Sequence, residues 1–170
     1  MKRPRVIIVM GVAGCGKSTI GARLAARNNG SFHDADDFHP ASNIAKMASG
    51  QPLDDSDRAP WLEQLRQEVI DAVPAGGLAV LACSALKKIY REQLAVGTSS
   101  VALVYLKGDA ATLTSRLAAR PNHYMKAGML ESQLAILEEP SPVEGLTGGI
   151  NSSVEEIVAA IEAALELRTI

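Results

Sequence analysis

Gly11-Val12-Ala13-Gly14-Cys15-Gly16-Lys17-Ser18 fits the pattern G-x-x-x-x-G-K-[ST]. In that pattern backbone N–H groups wrap an anion, a lysine reaches the outer phosphates and a hydroxyl ligates Mg²⁺. These residue types at this spacing hold a metal-bound polyphosphate by its charged end. Thr19 follows directly and offers one more phosphate contact. Cys15 occupies a variable position and reads as a small filler, although its place beside a helix N-terminus leaves oxidation sensitivity open.

A phosphate cradle does not say where the phosphoryl group goes, so other polar clusters must decide. In Asp34-Ala35-Asp36-Asp37, alternate carboxylates at a strand end can divide two tasks. Asp34 would address the metal, and Asp36 would orient an acceptor hydroxyl and take its proton. A capping or Asx-turn cluster is the structural alternative. Arg58 can grip a substrate carboxylate through two parallel hydrogen bonds, or else pair with the aspartates before it, Asp57 serving as an N-cap. Arg116 and Arg120 lie i to i+4 on one helix face and could close over a transferring phosphoryl group, or face solvent as ordinary surface arginines. His33, His39 and His123 lack a zinc-ligand arrangement. The chain has no Asn-Lys-x-Asp guanine reader, and Leu78 to Cys83 ends in Cys83-Ser84-Ala85 without an acidic residue. A second magnesium contact must therefore come from elsewhere, with Asp34 through water the candidate.

These residues need elements to position them. Val6-Ile7-Ile8-Val9-Met10 is an unbroken apolar run of the kind buried on both faces of a parallel sheet. The helix after the cradle spans about Lys17 to Asn28, and Ser31 to Asp34 reads as a short strand. A short helix runs from about Asn43 to Ala48, and a longer one carries Trp61, Leu65, Val69 and Val73 on one face. Strands are expected at Leu78 to Cys83 and Val101 to Leu106, with Lys87, Lys88 and Arg91 on the helix between them. A helix from about Asp109 stops before Pro121. The polar stretch Asn122 to Gly128, with His123 and Lys126, reads as a flexible basic connection before a helix through Met129, Leu130, Leu134 and Leu137. Helix, connection and helix suggest a lid over bound phosphates. A weak strand near Val143 to Ile150 precedes a helix opened by the capping box Ser153-Val154-Glu155-Glu156. The alternation predicts an α/β fold whose parallel sheet is covered on both faces.

The 170 residues, 47% hydrophobic, suffice for one domain with its own core. No apolar stretch approaches the roughly 20 residues that cross a bilayer, and the chain runs directly into its first strand, so a cytoplasmic protein without membrane attachment is expected. The two cysteines, Cys15 and Cys83, are spaced neither as a metal knuckle nor as a redox pair. A net charge of −2 gives no global attraction to nucleic acid.

The chain resembles the gluconokinase family. The resemblance rests on Gly11 to Thr19 and on Asp34-Ala35-Asp36-Asp37-Phe38-His39-Pro40 with Asn43 to Met47. It continues through Gly50 to Leu62, which contains Asp54-Asp55-Ser56-Asp57-Arg58-Ala59-Pro60-Trp61, and through Cys83-Ser84-Ala85-Leu86-Lys87-Lys88 with Tyr90-Arg91. Leu106-Lys107-Gly108 and Arg116-Leu117 with Arg120 and His123-Tyr124-Met125-Lys126 complete it. It implies a P-loop NTPase fold with a five-stranded parallel sheet, similar to adenylate and shikimate kinases, as a single domain over residues 1–170. A substrate-binding region at about 37–75 and a lid at about 120–130 go with it. The implied activity is transfer of the γ-phosphoryl of ATP, with Mg²⁺, to the 6-hydroxyl of D-gluconate, commonly in a homodimer. Gly11, Val12, Ala13, Gly14, Cys15, Gly16, Lys17, Ser18 and Thr19 would bind the nucleotide, and Ser18 and Asp34 the metal. Lys17, Asp36, Arg116 and Arg120 would be catalytic, and Asp36, His39, Arg58, Lys87, Arg91 and His123 would contact substrate. A kinase for a related acid such as shikimate, and a protein that senses ATP without turnover, are the competing readings. After Pro140 the chain departs from the pattern: Gly145-Leu146-Thr147-Gly148-Gly149-Ile150-Asn151 is glycine-rich and neutral.

Overall fold

Five parallel strands form one sheet in the computed structural model, which describes residues 3–121 and 123–167, with the backbone alone described for 123–127. The strands are β1 (Val6–Met10), β2 (Ser31–Asp34), β3 (Ala79–Ala82), β4 (Val101–Lys107) and β5 (Leu146–Gly149), in the order β2-β3-β1-β4-β5. Central β1 pairs with β3 (Val6 opposite Ala79) and with β4 (Val6 opposite Val101). Every β1 residue is at most 1% exposed, which is why its sequence shows no polar alternation.

The two faces of β1 feed two cores. Val6, Ile8 and Met10 join Trp61, Leu65 and Tyr90. Ile7 and Val9 join Leu24, Leu113, Leu130 and Val158. The first face is covered by α3 (Asp55–Leu65), its π-helical continuation Arg66–Ile70, and α4 (Lys88–Gln93). The second is covered by α1 (Lys17–Arg27), α5 (Ala110–Ala118), α6 (His123–Ile136) and α7 (Val154–Ala164). A 3-10 turn, Ala35–Phe38, and α2 (Ala41–Ala48) link β2 to α3.

Several sequence expectations need correction. Asn122 to Gly128 is not an irregular connection throughout: α6 already begins at His123. The N-cap of α3 is Asp54, and Asp57 is its reciprocal partner in a capping box, accepting from the Asp54 backbone N–H at 2.9 Å. Two aspartates three apart satisfy the box as Asp and Glu would. The helix bearing Trp61 and Leu65 does not continue regularly to Val73, because the backbone passes into the π-turn after Leu65. The final strand is short, four residues, of which Leu146 and Gly148 are half-buried.

The C-terminal end of α1 is tied to α7 by charge. Glu162, 5% exposed, accepts from Arg27 Nη2 at 2.9 Å and Nε at 3.0 Å, and from Asn28 Nδ2 at 2.9 Å. Truncating it removes three hydrogen bonds and strands two donors of the Arg27 guanidinium, while Asn28 Nδ2 keeps its bond to the Leu24 carbonyl at 2.9 Å. Glu162→Ala is expected to lower the unfolding free energy by about 2–3 kcal/mol, read as a shifted midpoint in urea denaturation.

Candidate active site

The phosphate loop joins β1 to α1 and gets its shape from glycine. Gly16, the residue before α1, sits at φ 94° with open space where a Cβ would stand. Gly11, at φ 150°, packs so tightly that an added Cβ would lie 2.6 Å from Cys15 Sγ and 2.9 Å from the Leu106 carbonyl oxygen. Cys15 is accordingly a packing residue, 2% exposed. The α1 N-terminus, with no acidic side chain in its first turn, presents its dipole to the loop. Lys17 Nζ donates to the Val12 carbonyl at 3.2 Å, folding back over the loop.

β2 brings in the acidic corner. Asp34, at its carboxyl end, accepts from Ser18 Oγ at 2.6 Å through Oδ2 and from the Asp36 backbone N–H at 3.0 Å through Oδ1. The Ser18–Asp34 pair suits a hard cation bound through one or two protein oxygens together with phosphate and water. No cluster of three or more His, Cys, Asp or Glu that could hold a metal occurs among the described residues. The Asp36 carboxyl is held above its ordinary range, by desolvation first and the Asp34 carboxylate second, against the pull of Lys17. Because the side chain itself is 88% exposed, the charge of Asp34 is the firmer of these causes. Cys83, at the end of β3, is buried and its thiol is pushed up to about 12, so it stays protonated.

A second group gathers around Arg58. Its Nη1 donates to the Leu53 carbonyl at 2.5 Å and the Tyr90 hydroxyl at 3.2 Å. The guanidinium also lies 5.4 Å from the Tyr90 ring centroid. Nε and Nη2, the edge that forks a carboxylate, make no hydrogen bond among the described residues. His39 stacks on Trp61 at 4.2 Å between ring centroids and 15° between planes, and Trp61 Nε1 donates to the Ala35 carbonyl at 2.7 Å. This stack ties the Asp36 turn to α3. Burial, and then the Arg58 charge, push His39 down to about 4, so its 3.9 Å approach to Asp36 is no ion pair at neutral pH. Lys87 Nζ pairs with Asp55 at 2.9 Å.

Arg116 and Arg120 stand elsewhere. With Gly14, Cys15, Gly16, Thr19 and Ile150 they line an open groove of about 450 Å³ whose walls include none of Asp34, Asp36 or Arg58. Arg116 Nη2 donates to the Ile150 carbonyl at 2.6 Å. Arg91 is not brought to either group. Its side chain is 1% exposed and bonds Glu144 at 3.0 Å and the carbonyls of Ala85, Leu86 and Glu138 at 3.2, 3.2 and 2.9 Å. It fastens the chain after α6 to the start of α4. The side chains of His123 and Lys126 lie outside the described residues.

The family model for shikimate kinase matches residues 13–141. A gluconokinase of Gluconobacter oxydans (strain 621H) is 42% identical over 166 residues, covering 95% of this chain and 93% of that protein. A probable gluconokinase of Mus musculus is 42% identical over 184 residues, covering 98% and 100%. The chain belongs to the gluconokinase family. The crystal structure of a gluconokinase from Sinorhizobium meliloti 1021 shares its architecture at a TM-score of 0.85 and 35% identity, covering 98% of this chain and 94% of that one. This gluconokinase-family chain is an ATP-dependent kinase with a P-loop NTPase fold.

Three contributors escaped residue-by-residue reading. Tyr90 and Asp55 complete the Arg58 group. Gln133, on α6, accepts from the phosphate-loop N–H of Ala13 at 2.7 Å across 120 residues of sequence. Only the Tyr90-Arg91 and Asp54-Asp55 motifs offered any signal for the first two, and none existed for Gln133. In an NMR titration the His39 ring is expected to protonate near pH 4, and Arg58→Ala should move that midpoint upward. The native state holds His39 neutral where the unfolded chain protonates it, so its linked stability falls as pH drops from about 6.5 to 4.

Proposed function

We propose that this enzyme transfers the γ-phosphoryl group of ATP to the 6-hydroxyl of D-gluconate, giving 6-phospho-D-gluconate and ADP. The observation that carries the reading is the meeting of three chemistries: a phosphate loop, the Asp34 and Asp36 carboxylates joined to it through Ser18, and an arginine with an unengaged fork. Backbone N–H groups from Gly11 to Thr19 and Lys17 hold the phosphates. The groove lined by Arg116, Arg120 and Thr19 takes the rest of the nucleotide, leaving the two arginines to offset phosphate charge as lid residues 120–130 close. Ser18 and Asp34 would hold Mg²⁺, which supplies charge neutralisation on the β and γ phosphates.

Gluconate lies with its carboxylate on the Nε and Nη2 edge of Arg58, aided by Lys87 and bordered by His39, within the acceptor region 37–75. His123 completes the substrate contacts, whereas Arg91 acts as a positioning residue. Asp36 orients the 6-hydroxyl and accepts its proton as the new P–O bond forms and the bond to ADP breaks. Closure excludes water, which would otherwise compete as acceptor. The same reading takes the chain as a single domain, cytoplasmic and homodimeric, with no nucleic-acid partner. No helix among the described residues is long and apolar enough to cross a membrane, and the homodimer rests on the family resemblance, with light scattering as its test.

A coupled ADP-release assay with and without gluconate is the direct test, and gluconate-independent ADP release alone would defeat the reading. Asp36→Asn is expected to lower kcat about 100-fold or more with little change in gluconate KM. Because the Asp36 pKa is raised in the free enzyme, the acid limb of wild-type kcat/KM should fall above the ordinary carboxylate value of about 4. Arg58→Ala should cost about 2–3 kcal/mol in gluconate kcat/KM, mostly through KM.

A further inference from the structure

Two cations in the acceptor mouth share one aromatic ring and one anion. The Arg58 guanidinium lies 5.4 Å from the Tyr90 ring centroid and the Lys87 ammonium 5.7 Å. Asp55 Oδ1 joins them, accepting from Lys87 Nζ at 2.9 Å and from the Tyr90 hydroxyl, which itself accepts from Arg58 Nη1 at 3.2 Å. Asp55 is not needed to cap α3, since Asp54 and Asp57 already form the capping box. Its side chain is 61% exposed, so its charge faces whatever enters. His39 contributes none at neutral pH. Within the cluster on the Tyr90 ring the count is therefore two positive charges and one negative.

We propose that Asp55 is a specificity-determining residue: it holds the mouth at one net positive charge, so that the site takes a singly charged carboxylate head group and discriminates against a doubly charged one such as a phosphate monoester. The inference rests on the reading of Arg58 as the carboxylate grip. A carboxylate on Arg58 balances the local charge. A phosphate dianion feels the Asp55 carboxylate with twice the charge of a monoanion, and that larger repulsion is the rejecting element. Tyr90 serves the same end by fixing where both cations stand.

The probe is D-glucitol 1-phosphate, a six-carbon polyol with a free 6-hydroxyl whose C1 phosphate stands at the carboxylate end, tested at pH 8 and saturating ATP as a competitive inhibitor against gluconate. In Asp55→Asn the ratio of its Ki to the gluconate KM is expected to fall about tenfold relative to wild type, the size of one partly screened charge at contact range. Added salt should erode that gain. Lys87→Met should move the ratio the other way, and gives an independent reading if Asp55→Asn does not fold. A ratio unchanged in either variant, or equal losses for both ligands with a lowered Tm, would overturn the inference and leave Asp55 as a tether. Failure of the parent reading looks different: gluconate KM would then be unaffected by Arg58→Ala.

Discussion

The hydrogen bond from Ser18 Oγ to Asp34 Oδ2, 2.6 Å long, is the joint between the phosphate loop and the acidic corner. Ser18 belongs to the first turn of α1, behind the phosphate loop, and Asp34 ends a strand two places away in the sheet. Interposing β3 between β1 and β2 sets the spacing. The register that puts Asp34 opposite Ala82, itself opposite Val9, brings the strand ends level. Only then can an acidic corner face a phosphate loop without a Walker-type aspartate on β3. From the corner outward, the short turn Ala35–Phe38 delivers Asp36, and the His39–Trp61 stack carries the same alignment to α3 and Arg58.

Much of this framework was legible in the sequence because it is local. The unbroken run Val6–Met10 could only be a strand buried on both faces, and the spacing of Gly11, Gly16, Lys17 and Ser18 describes a loop whose geometry is made by its own backbone. The capping box at Ser153 is likewise satisfied within four residues, with both of its bonds formed. What was not legible depends on partners distant in sequence. Arg91 has the composition of a substrate contact, yet Glu138 and Glu144, about fifty residues on, claim its guanidinium. Nothing near Tyr90 says that its ring will lie under Arg58. The polar stretch after Asn122 shows how composition misleads: it has the make-up of a connection, yet the backbone is helical from His123.

The two halves of the site use different physical means. At the phosphate loop the groups on offer are backbone N–H donors and a helix dipole, which tolerate side-chain variety such as Cys15 provided the glycines remain. Around Arg58 the groups are side chains held by one another: Arg58 by Leu53 and Tyr90, Lys87 by Asp55, His39 by Trp61. Such a network is stiff only when each member is satisfied.

That asymmetry bears on how the molecule can change. The segment from Ala35 to Leu65 is a single excursion between β2 and β3, attached to the sheet through Trp61, Leu62 and Leu65. Its inward face is answerable to the core, while the face carrying Arg58 and Asp55 answers to Tyr90 and Lys87. Substitutions there leave the phosphate loop untouched, so the fold separates an inheritance that must stay fixed from one that is open to drift.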